Sequence, residues 1–161
     1  KAPAKKKAPA KKKAPAKKKA PAKKKAPAKK KAHRASAETD RAVRTLRALG
    51  LRYPRSHTKS PWPGHGDLAV NDKTFCYLNV EGDPFSISCK LPHSFDDALE
   101  LPFTTPTAYG LGRAGWVTAN LDAGDPIPMD LFERWMDESF RAQAPKRAVK
   151  QLDSEGLAPK T

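Results

Sequence analysis

A one-sided apolar stripe predicts the first helix of the chain. The stripe is made of apolar residues spaced three apart: Val43, Leu46 and Leu49. We predict a helix from Ser36 to Leu49, with Ser36 or Thr39 as its N-terminal cap. Gly50 follows the last periodic residue, where a glycine commonly ends a helix in the left-handed conformation.

The next segment, Tyr53 to Gly66, is rich in proline and glycine and is predicted to be a loop. Three strand-like segments follow it: Asp67–Val70, Lys73–Val80 and Phe85–Leu91. A turn centred between Gly82 and Asp83 fixes which residues of the second and third segments lie opposite each other. The residue numbers of the two partners in each pair then add up to 165. The predicted pairs on the core face are then all apolar: Cys76 with Cys89, Leu78 with Ile87, and Val80 with Phe85. The other face receives Tyr77, Asn79, Ser86, Ser88 and Lys90.

The two cysteines are thereby predicted to be cross-strand neighbours. A redox switch or a metal pair is one interpretation, and two small buried thiols are the other. Directly opposed cysteines form strained disulfides, and no CxxC spacing suggests zinc. We therefore favour two buried thiols.

Three further elements complete the domain. We predict a short helix at Ser94–Leu101 with Ser94 as its cap, a strand at Trp116–Leu121, and a helix at Met129–Ala144. The last helix has one apolar stripe, which indicates a core face: Phe132, Trp135, Met136 and Phe140. A turn or helix at Lys146–Leu152 ends the pattern. Helices alternating with a hairpin-rich sheet predict an α+β fold with an antiparallel sheet packed against helices.

Charge divides the chain into two parts. Of its 161 residues, 32 are Lys or Arg, and 16 of these lie in residues 1–31 without any acidic residue. Residues 32–161 contain the remaining 16 basic residues and all 17 Asp and Glu residues, so they carry a net charge of −1. Residues 60–161 alone hold 9 basic and 15 acidic groups. The high isoelectric point therefore describes the first segment, and a basic patch on the domain cannot be assumed from net charge.

The first segment repeats Lys-Ala-Pro-Ala-Lys-Lys five times. Its regular prolines block a helix, and it has no side chain that could build a core, so we predict a disordered tail over residues 1–35. Lysine triplets without base-reading side chains favour sequence-blind neutralisation of phosphates. Alternatives are a solubility tail or binding to polyphosphate or anionic membrane, the last disfavoured because no aromatic or Leu face is present. The candidate residues are Lys5, Lys6, Lys7, Lys11, Lys12, Lys13, Lys17, Lys18, Lys19, Lys23, Lys24, Lys25, Lys29, Lys30 and Lys31.

Three arginines of the first helix, Arg41, Arg44 and Arg47, share one helix face beside this tail. Taken alone they indicate a solvated surface, but next to the tail they are candidates for extending a phosphate-binding surface. Gly110–Gly115 has the form GxGxxG but precedes a predicted strand, so we reject a dinucleotide site there. Arg113 within it is a candidate phosphate ligand, although a tightly packed turn is the simpler interpretation.

No pattern predicts catalysis or a cofactor. The four histidines are scattered over loops without metal-ligand spacing, and Asp137 and Glu138 are consecutive on a helix. We predict no enzyme activity, no metal and no cofactor. No apolar run approaches the length of a membrane span, the start is charged, and the chain has only two Cys, so we expect a cytoplasmic protein.

Several motifs together resemble the MmcQ/YjbR family: Thr107–Thr118, Trp135–Arg147, Pro61-Trp62-Pro63, Lys73–Leu78 and Cys89–Pro92. The likeness spans about residues 40–152 and departs from the family at Pro63, where a Gly is usual, and at Asn71-Asp72. The resemblance implies a CyaY-like (frataxin-like) fold and a DNA-binding label. The acidic first helix of an iron-binding frataxin is absent, because the first helix here is basic.

These observations lead to one functional prediction. We expect a bacterial, nucleoid-associated protein that binds DNA, or alternatively RNA, through the tail, with residues 36–152 as the domain and residues 153–161 as a flexible end. The domain would add a second contact through Arg41, Arg44, Arg47, Trp62, Lys90 and Arg113. One alternative is an interaction module tethered to the chromosome, which a groove around Trp62, Tyr109 and Trp116 would favour. The other is an uncharacterised enzyme, which a deep polar pocket holding Arg113 and a carboxylate would favour.

Overall fold

A computed structural model describes residues 37–60 and 65–159 of the chain. The predicted tail, Trp62 and the last two residues lie outside these ranges. The helices are α1 (Ala37–Gly50), α2 (Phe95–Leu99), α3 (Met129–Gln143) and α4 (Lys146–Glu155). The strands are β1 (Ser56–Lys59), β2 (Asp67–Val70), β3 (Lys73–Leu78), β4 (Ser86–Lys90), β5 (Thr104–Pro106) and β6 (Trp116–Asn120), and a short 3₁₀ helix at Leu111–Ala114 precedes β6. The predicted α+β class is confirmed.

The six strands form one antiparallel sheet in the order β1-β2-β3-β4-β6-β5. The prediction of a loop over residues 53–66 is wrong in part, because β1 lies inside it. The prediction also missed β5. Both are edge strands: β1 is a run of polar residues with three exposed positions, and β5 is three residues long and ends in Pro106. Neither has an apolar alternation, and a proline is tolerated at a sheet edge.

The predicted register of the β3–β4 hairpin is confirmed. Cys76 pairs with Cys89, and Leu78 pairs with Ile87. The predicted pair of Val80 and Phe85 lies beyond the ends of both strands. On the β2 side the register shifts, because Leu68 pairs with Cys76 whereas Ala69 pairs with Thr74. The shift leaves a bulge on β3 that allows two consecutive residues, Phe75 and Cys76, to be fully buried in the core.

The core lies between the sheet and helices α1 and α3. The predicted stripe of α3 is buried, and its rings pack edge-on or stacked against rings from the sheet. Phe140 meets Phe75 at a centroid distance of 5.3 Å, and Phe132 meets Phe85 at 5.2 Å. Each pair of rings adds about 0.5–1.5 kcal/mol beyond simple burial, so these contacts fix α3 on the sheet.

Three predicted helix ends are corrected. Gly50 is the last residue of α1, and a Cβ there would overlap Leu68 Cδ1, so close packing rather than a left-handed turn requires glycine. Ser94 does precede α2, but its hydroxyl makes no cap bond and donates instead to Glu138 Oε2 at 2.7 Å. Helix α4 continues to Glu155, three residues beyond the predicted end.

Candidate nucleic-acid interface

The sheet topology separates charge along the strand direction. At one end of the sheet, β1, β3 and β6 begin while β2, β4 and β5 end. Basic residues gather there because four of them stand at these strand termini: Arg55, Lys73, Lys90 and Arg113. Among the described residues, the tight turn between β2 and β3 at this end adds one acidic residue, Asp72, and the connection that leaves β4 here carries Asp96 and Asp97 further on, in α2.

Helix α3 brings a further basic segment to the same end. Gln143, its last residue, donates from Nε2 to the Thr74 carbonyl oxygen at 3.0 Å, and Lys90 Nζ lies 3.5 Å from Gln143 Oε1. Three residues later the chain enters the exposed basic half of α4: Lys146, Arg147 and Lys150. We define the basic end as Arg55, Lys73, Lys90, Arg113, Lys146, Arg147 and Lys150.

The charged residues of helix α4 are arranged unfavourably with respect to the helix dipole, because the basic ones lie near its N-terminus. It has no acidic residue in its first turn and no basic residue in its last turn. A favourable arrangement would be the reverse, and each misplaced charge costs about 0.3–1 kcal/mol. Positive side chains at a helix N-terminus reinforce the partial positive charge of its free N–H groups, so this terminus attracts an anion.

The opposite end of the sheet is acidic. It holds the β3–β4 turn, the loop before β5 and the loop after β6, with five carboxylates: Glu81, Asp83, Glu100, Asp122 and Asp125. We define these residues as the acidic end. A net charge near zero for the domain therefore conceals a strong separation of charge, and a polyanion would be attracted to one end and repelled from the other.

The structure does not bring the predicted domain residues onto one surface. Arg44 and Arg47 of α1 lie beside the acidic end, where Arg44 Nη1 is 2.9 Å from Glu81 Oε2. Arg47 is half-buried and donates to the carbonyl oxygens of Gly66, at 3.2 Å, and Asn79, at 3.3 Å. Arg44 and Arg47 thus bind groups within the domain, whereas Arg41 is exposed.

Lys90 and Arg113 do lie together at the basic end. Lys90 pairs with Trp116 across β4 and β6, and the 3₁₀ helix with Arg113 immediately precedes Trp116. Trp62 and the fifteen tail lysines fall outside the described residues. Sequence reasoning missed five residues of the basic end: Arg55, Lys73, Lys146, Arg147 and Lys150. The cluster after Pro145 was visible as a local basic run, but only the strand order shows that Arg55 and Lys73 join it.

The described cavities lie elsewhere. A recess of about 370 Å³ opens at the sheet face that the helices leave uncovered, and most of the residues that line it are polar, among them His65, Asp67, Tyr77 and Ser88. A mainly apolar groove of about 650 Å³ lies between Phe103, Ile127 and Leu131. Neither has Arg113 in its lining, so the polar pocket that would favour an enzyme is not found in them.

A third cavity, of about 610 Å³, lies along α3 and is lined by both acidic and basic side chains. Burial, followed by the charge of Asp137, raises the pKa of Tyr53 well above its usual range. Arg141 pairs with Asp137 at 2.7 Å and with Asp153 at 2.8 Å, which ties α3 to α4. These groups are mutually satisfied, so we assign them a structural role. Within residues 37–60 and 65–159 no group of His, Cys, Asp or Glu side chains is arranged to hold a metal ion.

None of the helices in the described part of the chain is long and apolar enough to cross a membrane. Of the three residues of the predicted groove, Tyr109 and Trp116 lie in the described ranges and Trp62 lies outside them. Trp116 is buried and its ring lies 5.2 Å from that of Tyr77, while Tyr109 is fully exposed.

The chain was compared with known proteins. A crystal structure of a protein from Pseudomonas syringae is similar over 55% of this chain and 86% of that chain, with 20% sequence identity and a TM-score of 0.42. None of the curated proteins compared with the chain matches it. The model of the family described as YjbR matches residues 51–142, which is more than half of the chain. The resemblance seen in the sequence motifs is thus confirmed at the level of the family, and the protein belongs to the YjbR family.

Proposed function

We propose that this protein binds nucleic acid through its phosphates. The lysine triplets of residues 1–31 supply most of the affinity, and the basic end of the domain supplies a second contact. DNA is the expected partner and RNA is the alternative. The role is one of binding rather than catalysis, and it would place the protein at a bacterial chromosome.

The separation of charge along the sheet is the observation that carries this proposal. A domain with a net charge near −1 would bind DNA weakly if its charges were mixed. Here the basic end presents seven cations, none of which belongs to an ion pair in the described part of the chain, and Lys90 Nζ lies 3.5 Å from the neutral Gln143 Oε1. The acidic end, on the far side, disfavours the reverse orientation, so the bound domain has one preferred direction.

The lysine-rich tail and the basic end of the domain contribute differently to binding. Mobile lysines separated by Ala-Pro-Ala neutralise phosphates without reading bases, and each neutralised phosphate of a duplex releases about 0.9 counterion. The basic end contributes fewer charges, but these stand on rigid strand and helix termini. It therefore orients the domain on the backbone rather than setting the overall affinity.

Fluorescence anisotropy over a salt series tests the proposal, with the full chain compared with a chain that starts at His33. All buried core residues lie between Ala42 and Leu152, so the shorter chain keeps the whole core. We expect the full chain to bind a duplex with a steep salt slope and the shorter chain to bind more weakly with a shallower slope. Loss of all binding in the shorter chain would refute the role of the basic end. Absence of binding by both chains would refute the proposal as a whole.

A further inference from the structure

The loop between β5 and β6 holds one aromatic side chain fully in solvent. The exposed fraction of Tyr109 is 101%, against 44% for Leu51, the other exposed large apolar residue of the described part of the chain. No hydrogen bond or ring contact of Tyr109 is found within that part. Isolated apolar side chains are common on protein surfaces, so exposure alone does not assign a role to Tyr109, and the loop that holds it is decisive.

The loop is rigid, so the exposure of Tyr109 is a fixed feature. Thr107 N donates to the Trp116 carbonyl oxygen at 3.0 Å, which closes the loop, and Gly112 N donates to the Thr107 carbonyl oxygen at 2.9 Å inside it. Gly112 also packs against Pro106 so closely that a Cβ would lie 2.7 Å from the Pro106 Cβ. The chain is therefore held on both sides of the tyrosine.

The backbone of Tyr109 is in the left-handed region, with φ of 58°. A bulky residue there costs free energy, and such strain is commonly found where a residue serves binding. Glycine would adopt this conformation without cost. The chain instead places an aromatic residue there and glycine at the next position, Gly110, with φ of 79°.

The surroundings of the ring indicate what it would contact. Its two neighbours in the chain, Ala108 and Gly110, are small, and the complete exposure of the side chain leaves both ring faces open to a planar ligand. Residues 101–121 contain no Asp or Glu, and the exposed Arg113 follows four residues after Tyr109. The loop lies at the basic end. A planar group attached to an anion fits this surface, and a large apolar protein surface does not, because the loop offers a single isolated ring.

We propose that Tyr109 stacks on an unpaired nucleobase while Arg113 and the neighbouring cations hold the adjacent phosphates. The inference rests on the proposed binding of nucleic acid and adds to it a preference for single-stranded over paired segments. Every base has a π face, so the contact selects unpaired bases without selecting a sequence. A base inside a duplex is already stacked on both sides and offers no face to the ring.

Binding of the full chain to labelled single strands and duplexes of equal phosphate number tests this inference. We expect Tyr109→Ala to weaken single-strand binding about tenfold and to leave duplex binding unchanged. Tyr109→Phe keeps the ring and should bind as the original chain does. Leu51→Ala, which removes the other exposed apolar side chain, is the matched control and should change neither affinity. DNA and RNA strands of the same sequence distinguish the two sources of unpaired bases.

A second measurement separates stacking from phosphate contact. A single strand containing 2-aminopurine changes its fluorescence when the base stacks, and the change should be present with the full chain and absent with Tyr109→Ala. Thermal unfolding of Tyr109→Gly should show no loss of stability, because glycine relieves the left-handed strain. Equal weakening for single strand and duplex, or none, would overturn the inference while leaving the proposed function intact. Failure of the full chain to bind either would overturn both.

Discussion

Cys76 and Cys89 face each other across β3 and β4, with their sulfur atoms 3.8 Å apart and both side chains fully buried. The Cys89 thiol donates to the Cys76 sulfur, and both cysteines are free. Burial, together with this neighbouring thiol, raises the pKa of Cys76 well above its usual value. The thiolate is the reactive form of cysteine, so the pair should be inert in the folded protein.

This relationship gives the first prediction. Ellman's reagent should label neither cysteine of the native protein and both cysteines after denaturation in guanidinium chloride. The reason is that reaction requires exposure of a thiolate, which only unfolding supplies. Rapid labelling under native conditions would show that the β3–β4 hairpin opens locally, and it would contradict a buried structural pair.

The same hairpin shows what local sequence can determine. Its register was predicted because one alternation of apolar residues and one turn leave a single arrangement that buries an apolar face. The stripe of α3 was predicted for a similar reason, since Phe132 and Phe140 are in phase with the helical repeat. Both patterns are contained within a few neighbouring residues.

The candidate site was predicted less well because it depends on contacts between distant segments. Arg44 donates a hydrogen bond to Glu81, 37 positions later in the chain, and no local sequence pattern predicts that pairing. Lys73 joins Lys90 and Lys146 only because strand termini and the end of α3 meet at one end of the sheet. Charge segregation of this kind follows from topology, and the sequence pattern alone does not contain it.

The second prediction concerns Glu138 of α3. Its carboxylate accepts hydrogen bonds from the N–H groups of His93, at 2.8 Å, and Ser94, at 3.0 Å, and from the Ser94 hydroxyl. Burial alone would raise the pKa of Glu138, but these hydrogen bonds outweigh it and hold the pKa below its usual value. The charged form therefore stabilises the fold above the pKa of the unfolded chain, and this contribution is lost as the pH falls through the lower folded pKa.

Glu138→Gln should consequently lower the free energy of unfolding by about 1 kcal/mol at neutral pH, a modest value because the carboxylate is partly exposed. The difference should shrink as the pH falls through the lowered folded pKa of Glu138, because the original side chain becomes protonated there. Denaturant unfolding at several pH values measures it. A difference that does not depend on pH would mean that shape, and not charge, explains the effect.

The third prediction concerns Asp67 of β2, whose pKa is shifted in the opposite direction to that of Glu138. Asp67 is 3% exposed, and burial raises the pKa of its carboxyl above the usual value, although the Leu78 N–H, His65 and Arg47 act against this. A raised folded pKa favours the protonated side chain, so the contribution of Asp67 to stability is present at low pH and declines as the pH rises through the folded pKa. Asp67→Asn should remove that decline. Relative to the original chain, the variant should gain stability as the pH rises from about 4, the usual pKa of an Asp side chain, through the raised folded pKa of Asp67, as thermal unfolding would show.

The fourth prediction concerns the contact of α1 with the sheet. Gly50→Ala should destabilise the protein by about 1–3 kcal/mol, because the new methyl group overlaps Leu68, which is fully buried and cannot move away. The higher helix propensity of alanine, worth about 1 kcal/mol, opposes this only in part. Chemical denaturation of Gly50→Ala, Leu68→Ala and the double variant tests the cause. The double variant should lose clearly less than the sum of the two single losses, whereas additive losses would exclude the predicted overlap.

The fifth prediction separates the two groups of basic residues by a matched change of charge. Arg44→Gln/Arg47→Gln and Lys146→Gln/Arg147→Gln each remove two positive charges from the full chain. The α1 cations already neutralise Glu81 or bind carbonyl oxygens within the domain. The α4 cations have no acidic partner among the described ion pairs. The α4 variant should therefore weaken duplex binding and reduce the salt slope by up to about 2. It should be slightly more stable than the original chain, because two unfavourable positive charges leave the N-terminus of α4.

The α1 variant should behave in the reverse way. It should lose stability, because the Gly66 and Asn79 carbonyl oxygens lose the half-buried Arg47, and its salt slope should change little. Anisotropy titrations and thermal unfolding of the same two samples provide both readouts. If the α1 variant lost the larger share of binding, the phosphates would lie along the first helix, as the sequence pattern alone suggested. If both variants bound as the original chain does, the tail would be sufficient for binding, and the positive charge at the N-terminus of α4 would need another ligand.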